Sequence, residues 1–345
     1  MPTPEQLSER ELRVLEAVVQ TYIETAEPAG SQTIARRFGL GVSPATIRNT
    51  MSELEEKGYL FHPHTSAGRI PTDRAYRVYV NEIMRLAPLS SEAHHTLQAG
   101  LLGSRSAVEE LLRRAAQVLG VLTQELGVAV APALDEMVLE RLELVPVSAE
   151  RLLLVFNLRS GVVRTIFVEV PGRVGAEAVQ DVSRILNERL AGHTLQQIRS
   201  TLPERLRDAG GAQGGRELLN IFIAEAEEIF DLADDQGAVV LGSAQMLADQ
   251  PEFASNVRMR ELLRLTEGRD LLKRALASRR ENGVSITIGA ENSDARLSDF
   301  TLVTASYEAG ALRGVIGVMG PTRMPYDKII GLVEHTSRLV EDLLE

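Results

Sequence analysis

The chain has no cysteine in its 345 residues, which removes disulfide frameworks, thiolate nucleophiles and every cysteine-ligated zinc or iron-sulfur site. That absence agrees with a reducing, cytoplasmic location. It also lacks any run of about 18 apolar residues, so no membrane span is expected. The opening MPTPEQLSERELRVLEA interleaves charges with apolar residues and lacks the basic, apolar, small-residue order of a secretory signal. Positive charge is in short supply too. The formal net charge is −11 at pH 7, which excludes a general nucleic-acid coat because phosphate attraction needs positive potential.

What remains is an ordinary globular composition, 44% hydrophobic and 25% charged, over a length that predicts two or three folded units. The charge reverses sign locally. Between Ser31 and Tyr79 seven bases (Arg36, Arg37, Arg48, Lys57, Arg69, Arg74, Arg77) outnumber four acids (Glu53, Glu55, Glu56, Asp73).

Ser8 and Glu11 form a capping-box pair that opens a first helix. Leu12, Leu15, Val19, Tyr22 and Ile23 then make one apolar face until Glu27 and Pro28 stop it. A short second helix follows Ser31, and Gly39-Leu40-Gly41 turns the chain. Ser43 as N-cap with Pro44 at the first helical position opens a third helix.

At 100° per residue, Ile47, Met51 and Leu54 of that third helix fall together and face a core. Ala45, Asn49 and Ser52 lie opposite, with Arg48 on one rim and Thr46 on the other. Such side chains suit the major groove: small ones admit close approach, Asn pairs bidentately with adenine and Arg with guanine. The acids come only in the later turns, so groove entry is expected by the N-terminal half, as in helix-turn-helix docking. After Gly58 a strand, a turn-rich tip from Pro63 to Arg69 and a return at Ile70 read as a wing, with His64 or Arg69 in reach of phosphate or the minor groove. Three short helices and a hairpin also occur in domains that bind no DNA, so the pattern leaves that alternative open.

The stretches LSERELRVLEAVVQTYIETAEPAGSQTIARR and VSPATIRNTMSELEEKGYLFHPHTSAGRIPTDRAYRVYV, with AQMLADQPEF and GPTRMPY further on, closely resemble the HrcA family of heat-inducible transcription repressors. The resemblance implies an α+β multidomain chain: an N-terminal winged helix-turn-helix and a GAF-like domain carrying an inserted, mostly helical dimerisation segment. It implies a sequence-specific repressor of chaperone operons, not an enzyme, with no cofactor and no metal. The expected partners are a double-stranded inverted-repeat operator, a second copy of the chain as homodimer, and the chaperonin GroEL; no membrane is expected. Carried onto this sequence, the DNA-binding residues are Ser43, Ala45, Thr46, Arg48, Asn49, Ser52, His64, Ser66 and Arg69. The expected division is 1–85 for the DNA-binding unit, 86–103 linker, 104–191 first GAF-like part, 192–262 insertion and 263–345 second GAF-like part.

An amphipathic helix is expected over 104–126. Strands are expected at 128–131, 138–147, 151–157, 162–170, 284–288, 302–307 and 314–319, and a closing helix at 326–344. In the intervening helical stretch Leu219, Phe222, Ile223, Ala226, Ile229 and Phe230 make an apolar stripe. It reads equally as intrachain core or as a dimer contact, and the resemblance favours the contact for Leu219, Phe222, Ile223, Ile229 and Phe230. Gly210-Gly211-Ala212-Gln213-Gly214-Gly215 lacks the Gly-Lys-Ser/Thr ending and preceding strand of a phosphate loop and reads as a flexible connection. His62 and His64 lack a third metal ligand nearby, and no serine sits in a nucleophile elbow. Two other classes remain open: a metabolite-sensing regulator, and an enzyme acting on nucleic acid.

Overall fold

The structure, a computed structural model, describes residues 7–63, 68–101, 108–132, 137–159, 161–172, 174–207, 213–225, 229, 239–277, 279, 283–310 and 312–344. It is a mixed α+β chain built from helices and antiparallel sheets. None of the described helices is long and apolar enough to cross a membrane.

The N-terminal unit comprises α1 (Glu9–Thr25), α2 (Ser31–Phe38), α3 (Pro44–Glu56), a hairpin of β1 (Leu60–Phe61) with β2 (Ile70–Pro71), and α4 (Asp73–Val78) continued by a π turn at Tyr79–Ile83. The expected punctuation is present in atomic detail. Ser8 and Glu11 exchange the two reciprocal bonds of a capping box, and Ser43 Oγ accepts from the Thr46 amide at 3.2 Å. Both satisfy amides that a helix start leaves unpaired. Helix α1 is buried on more than the one face expected, because Val14, Ala17 and Val18 join Leu15 and Val19 in the core. It packs against α2 and α3, against β2, and against α4 with its π turn.

The centre is a five-stranded sheet. It contains β3 (Leu126–Val130), β7 (Val239–Leu241), β8 (Val284–Ile288), β9 (Phe300–Ala309) and β10 (Leu312–Pro321), in the order β7-β3-β10-β9-β8. Strand alternation sends Ala129, Ile316 and Val318 to one face. There they share a core with α5 (Ser91–Leu101), α6 (Val108–Thr123), the closing helix α13 (Tyr326–Leu344) and the N-terminal unit. Val128, Val130, Val315 and Met319 go to the other face, against α10 (Gln245–Ala248), α11 (Asn256–Glu267) and α12 (Arg269–Ala277). Helix α6 crosses β3 so closely that a Cβ at Gly127 would overlap the carbonyl of Ala116, so only glycine fits that crossing.

A second sheet, β4 (Leu139–Pro146), β5 (Arg151–Leu158) and β6 (Val163–Glu169), pairs only within itself among the described residues. One of its faces packs on α7 (Ala176–Leu190), α8 (Leu195–Leu206) and α9 (Gln213–Ala224), forming a separate core. The expected boundary between 191 and 192 falls between α7 and α8, inside this layer. The strands expected to continue the first part of the central domain belong instead with the helices that follow them.

Within that layer Leu219, Phe222 and Ile229 are buried against their own chain and Ile223 packs partly on the same core. This corrects the expectation of a dimer contact for Leu219, Phe222 and Ile229; Ile223 keeps part of its surface. A side chain already surrounded by its own chain has no surface left to offer a second copy. Phe230 lies outside the described residues.

Candidate nucleic-acid interface

Helix α3 is the element whose composition is hardest to explain as packing alone. Ile47, Met51 and Leu54 are buried, joined by Thr50, whose hydroxyl donates to the Thr46 carbonyl at 3.2 Å. On the opposite side Ser43, Ala45, Arg48 and Asn49 are exposed and Thr46 is half-buried. Arg48 and Asn49 make no side-chain hydrogen bond or ion pair with any described residue. Their donors and acceptors face solvent on the first two turns.

Ser52 and Arg69 are placed differently from their expected roles. The Arg69 guanidinium turns back onto α3, its Nη2 forming an ion pair with Glu55 Oε2 at 2.9 Å and donating weakly to Ser52 Oγ at 3.4 Å. Its side chain is only 12% exposed, so it is not poised to meet phosphate, and Ser52 is half covered by it. The physical reason is local: Arg69 N and O both bond to Ala29, which holds β2's entry against the start of α2 and brings the side chain beside Glu55. Arg69 therefore fixes the hairpin against α3. His62 Nδ1 lies 2.6 Å from Glu55 Oε1, so one carboxylate gathers both basic groups. His64 and Ser66 lie outside the described residues.

The end of α3 is fixed by charge. Lys57 Nζ donates to Glu11 Oε1 at 2.8 Å, while Ser8 N and Oγ donate to Glu11 Oε2 at 2.8 and 2.7 Å. Burial pushes the Glu11 carboxyl up, but Lys57 and Ser8 together outweigh it and hold the pKa down at about 2. Glu11 thus stays ionised and ties α1 to α3. Arg74 stacks over the Tyr59 ring with its guanidinium carbon 4.4 Å from the ring centroid, and donates to the Lys57 carbonyl at 3.0 Å.

Sequence reasoning overlooked α2 as part of this surface. Gln32, Thr33 and Arg36 are exposed, and the N-cap is Gly30, which supplies no side-chain oxygen to the first-turn amides. Its sign in the sequence was Gly30 before Ser31, an N-cap with no side-chain acceptor to offer.

The family description "HrcA protein C terminal domain" matches residues 109–330. The heat-inducible transcription repressor HrcA of Chlorobium phaeobacteroides (strain BS1) is 38% identical over 340 residues, covering 95% of this chain and 96% of that one. The protein of the same name from Chlorobaculum tepidum is 36% identical, covering 98% of each. The chain belongs to the HrcA family. A crystal structure of a hypothetical protein at 2.2 Å resolution superposes with a TM-score of 0.64 at 23% identity, covering 98% of this chain and 99% of that one. At that identity the likeness is one of fold.

Proposed function

We propose that this HrcA-family chain represses transcription of heat-shock genes by binding an inverted-repeat operator as a homodimer. Its N-terminal unit acts as a winged helix-turn-helix and α3 as the recognition helix. The observation that carries this reading is the pair Arg48 and Asn49, exposed beside Ala45 at the start of a helix whose other face is fully buried. Exposed donors of this kind match guanine and adenine edges. The uncapped first turn of α2 suits a backbone phosphate, since amides at a helix start favour anions.

A homodimer would place two copies of α3 in successive major grooves about 34–36 Å apart. Joining two half-sites raises the effective concentration of the second contact, which gives occupancy that one small domain does not reach alone. Because the α9 stripe is consumed by its own core, the contact is assigned to the outer face of β4–β6. There Val145, Leu153 and Phe167 stand in one cross-strand row, with Phe167 60% exposed. The same apolar surface, uncovered in a lone chain, is what a chaperonin such as GroEL would retain. We read the chaperonin as a partner that sets the active fraction. This reading assigns the chain no catalytic step and no cofactor, and takes the five-stranded sheet with its helices as the GAF-like domain and 137–229 as its insertion.

Selection from a random duplex DNA library tests the reading directly. The expected product is an inverted repeat whose half-sites lie one helical turn, or a multiple of one, apart. Recovery of no preferred sequence would overturn it. Purified chaperonin is expected to raise the active fraction measured against the selected DNA, and an unchanged fraction would remove that partner.

A further inference from the structure

Arg323, far from α3 in sequence, holds the end of the helix on which α3 rests. Its Nη1 donates to the Ile23 carbonyl at 2.8 Å, while Nε and Nη2 donate to the two carboxylate oxygens of Glu252 at 2.6 and 3.2 Å. The last turn of α1 contains no basic residue. Its end carbonyls are orphans of the helix, and α1 stops at Ala26 in the left-handed region, φ 55°. Arg323 therefore supplies from the body the cation and donor that α1 itself lacks.

Glu252 is itself fixed. It lies in a 3-10 turn at Pro251–Phe253, and Phe253 stacks on Phe300 of β9 with centroids 5.7 Å apart. The preceding Gln250 donates to the Gln124 carbonyl at 2.8 Å and to Glu125 at 2.9 Å. The planar guanidinium fork thus joins a rigid turn of the body to α1 through three bonds.

A second anchor lies on α4. Arg77 Nε donates to Glu291 Oε1 and Arg77 Nη2 to the Ile286 carbonyl, each at 2.8 Å. Asp73 accepts from the Ala290 amide at 2.9 Å. Gly289, at φ 53°, leaves room for that carboxylate, since a Cβ there would overlap it. One anchor alone would act as a pivot, whereas two on different helices fix an angle.

We infer that Arg323 is a positioning residue that, with the Asp73/Arg77 anchor, sets the angle of the N-terminal unit on the body and so the half-site spacing the dimer accepts. The inference rests on the operator-binding reading above. Helix α1 has 17 residues and is therefore about 25 Å long. With Arg323 loosened, a rotation of about 10° about the remaining α4 anchor moves a point one such length away by about 4 Å, close to the ~3.4 Å step of one base pair. Because α3 packs along α1, it moves with it. Loosening Arg323 leaves the α3 surface intact and broadens the spacings at which two copies fit.

The test uses the full-length chain and the inverted repeat it selects from random duplex DNA, remade with spacers one and two base pairs shorter and longer, plus a single half-site. The parent is expected to show one sharp spacer optimum. Arg323→Ala is expected to keep half-site affinity, to bind the optimal repeat about 10-fold more weakly, and to hold neighbouring spacers within about 3-fold of the optimum. Arg323→Lys keeps the charge but not the fork and is expected to give the same flat profile; restoration of the sharp optimum by lysine would overturn the role of the bidentate geometry. Glu252→Gln, which keeps the shape of the turn, carries the test should Arg323→Ala fail to fold. Variants that reproduce the parent's profile overturn the inference while leaving operator binding standing. A parent that selects no inverted repeat overturns both.

Discussion

Replacing Glu11 with glutamine isolates the charge that ties α3 to α1. The carboxylate accepts from Lys57 at 2.8 Å and from both donors of Ser8, and its side chain is only 7% exposed. A hydrogen bond to a charged group contributes about 1.5–3 kcal/mol. Lys57, at 29% exposure, can turn toward water once its partner is neutral, which recovers part of that and puts the loss at about 1–2 kcal/mol. Glutamine preserves the capping box, whereas Glu11→Ala removes it and adds about 1 kcal/mol. Hydrogen exchange of peptides covering α1 and α3 reads this directly, because 1–2 kcal/mol is about a 5- to 30-fold change in the population of the open state. The pH dependence gives an independent check. The folded carboxyl titrates at about 2 against an ordinary 4.5, so its contribution is complete above 4.5 and is lost as pH falls from there toward 2. The parent loses that increment of protection on acidification and the glutamine variant does not. Equal protection at pH 7, or the same acid response in both, would refute the reasoning.

Glu125 runs the other way. It is 2% exposed, and burial raises its pKa well above 4.5 despite the Gln250 bond and Arg323. Glu125→Gln is expected to raise stability at neutral pH in denaturant titrations, with the gain closing as pH falls through 4.5 and the parent's carboxyl becomes neutral in both states; a loss at pH 7 would count against a neutral buried acid. On the outer face of the second sheet, Phe167→Glu is expected to convert dimer to monomer in sedimentation equilibrium with little change in thermal stability. Phe222→Ala is expected to cost about 3–5 kcal/mol in the same layer, since its ring is fully buried.

Much of the fold was legible because its signals are local. The Ser8/Glu11 box, the Ser43-Pro44 start and the closing helix at 326–344 stand where side-chain chemistry put them. Strand positions were legible for the same reason, but strand partners were not. β3 and β4 are neighbours in sequence, yet they enter different sheets, and nothing within either strand encodes that choice. The short β7 at 239–241, an edge strand of three residues, is too brief to show a period. The α9 stripe was visible as apolar spacing, but spacing does not say whether the covering surface belongs to the same chain; here α7, α8 and the second sheet cover it. Arg69 was misplaced because its direction depends on Ala29, forty residues earlier. Arg323 carried no local sign at all, since the carbonyl it meets belongs to another unit.

On the proposed function, exposed side chains on the first turns of α3 choose the DNA sequence. The most direct measurement is a competition between selected operator and random duplex for the parent and for an Arg48→Ala/Asn49→Ala double variant. Each bidentate base contact contributes about 1–3 kcal/mol of discrimination and occurs twice in a dimer. The double variant is therefore expected to lose at least about 100-fold of operator preference while keeping its weak, salt-sensitive affinity for random DNA. Undiminished preference for operator in that variant would contradict the account.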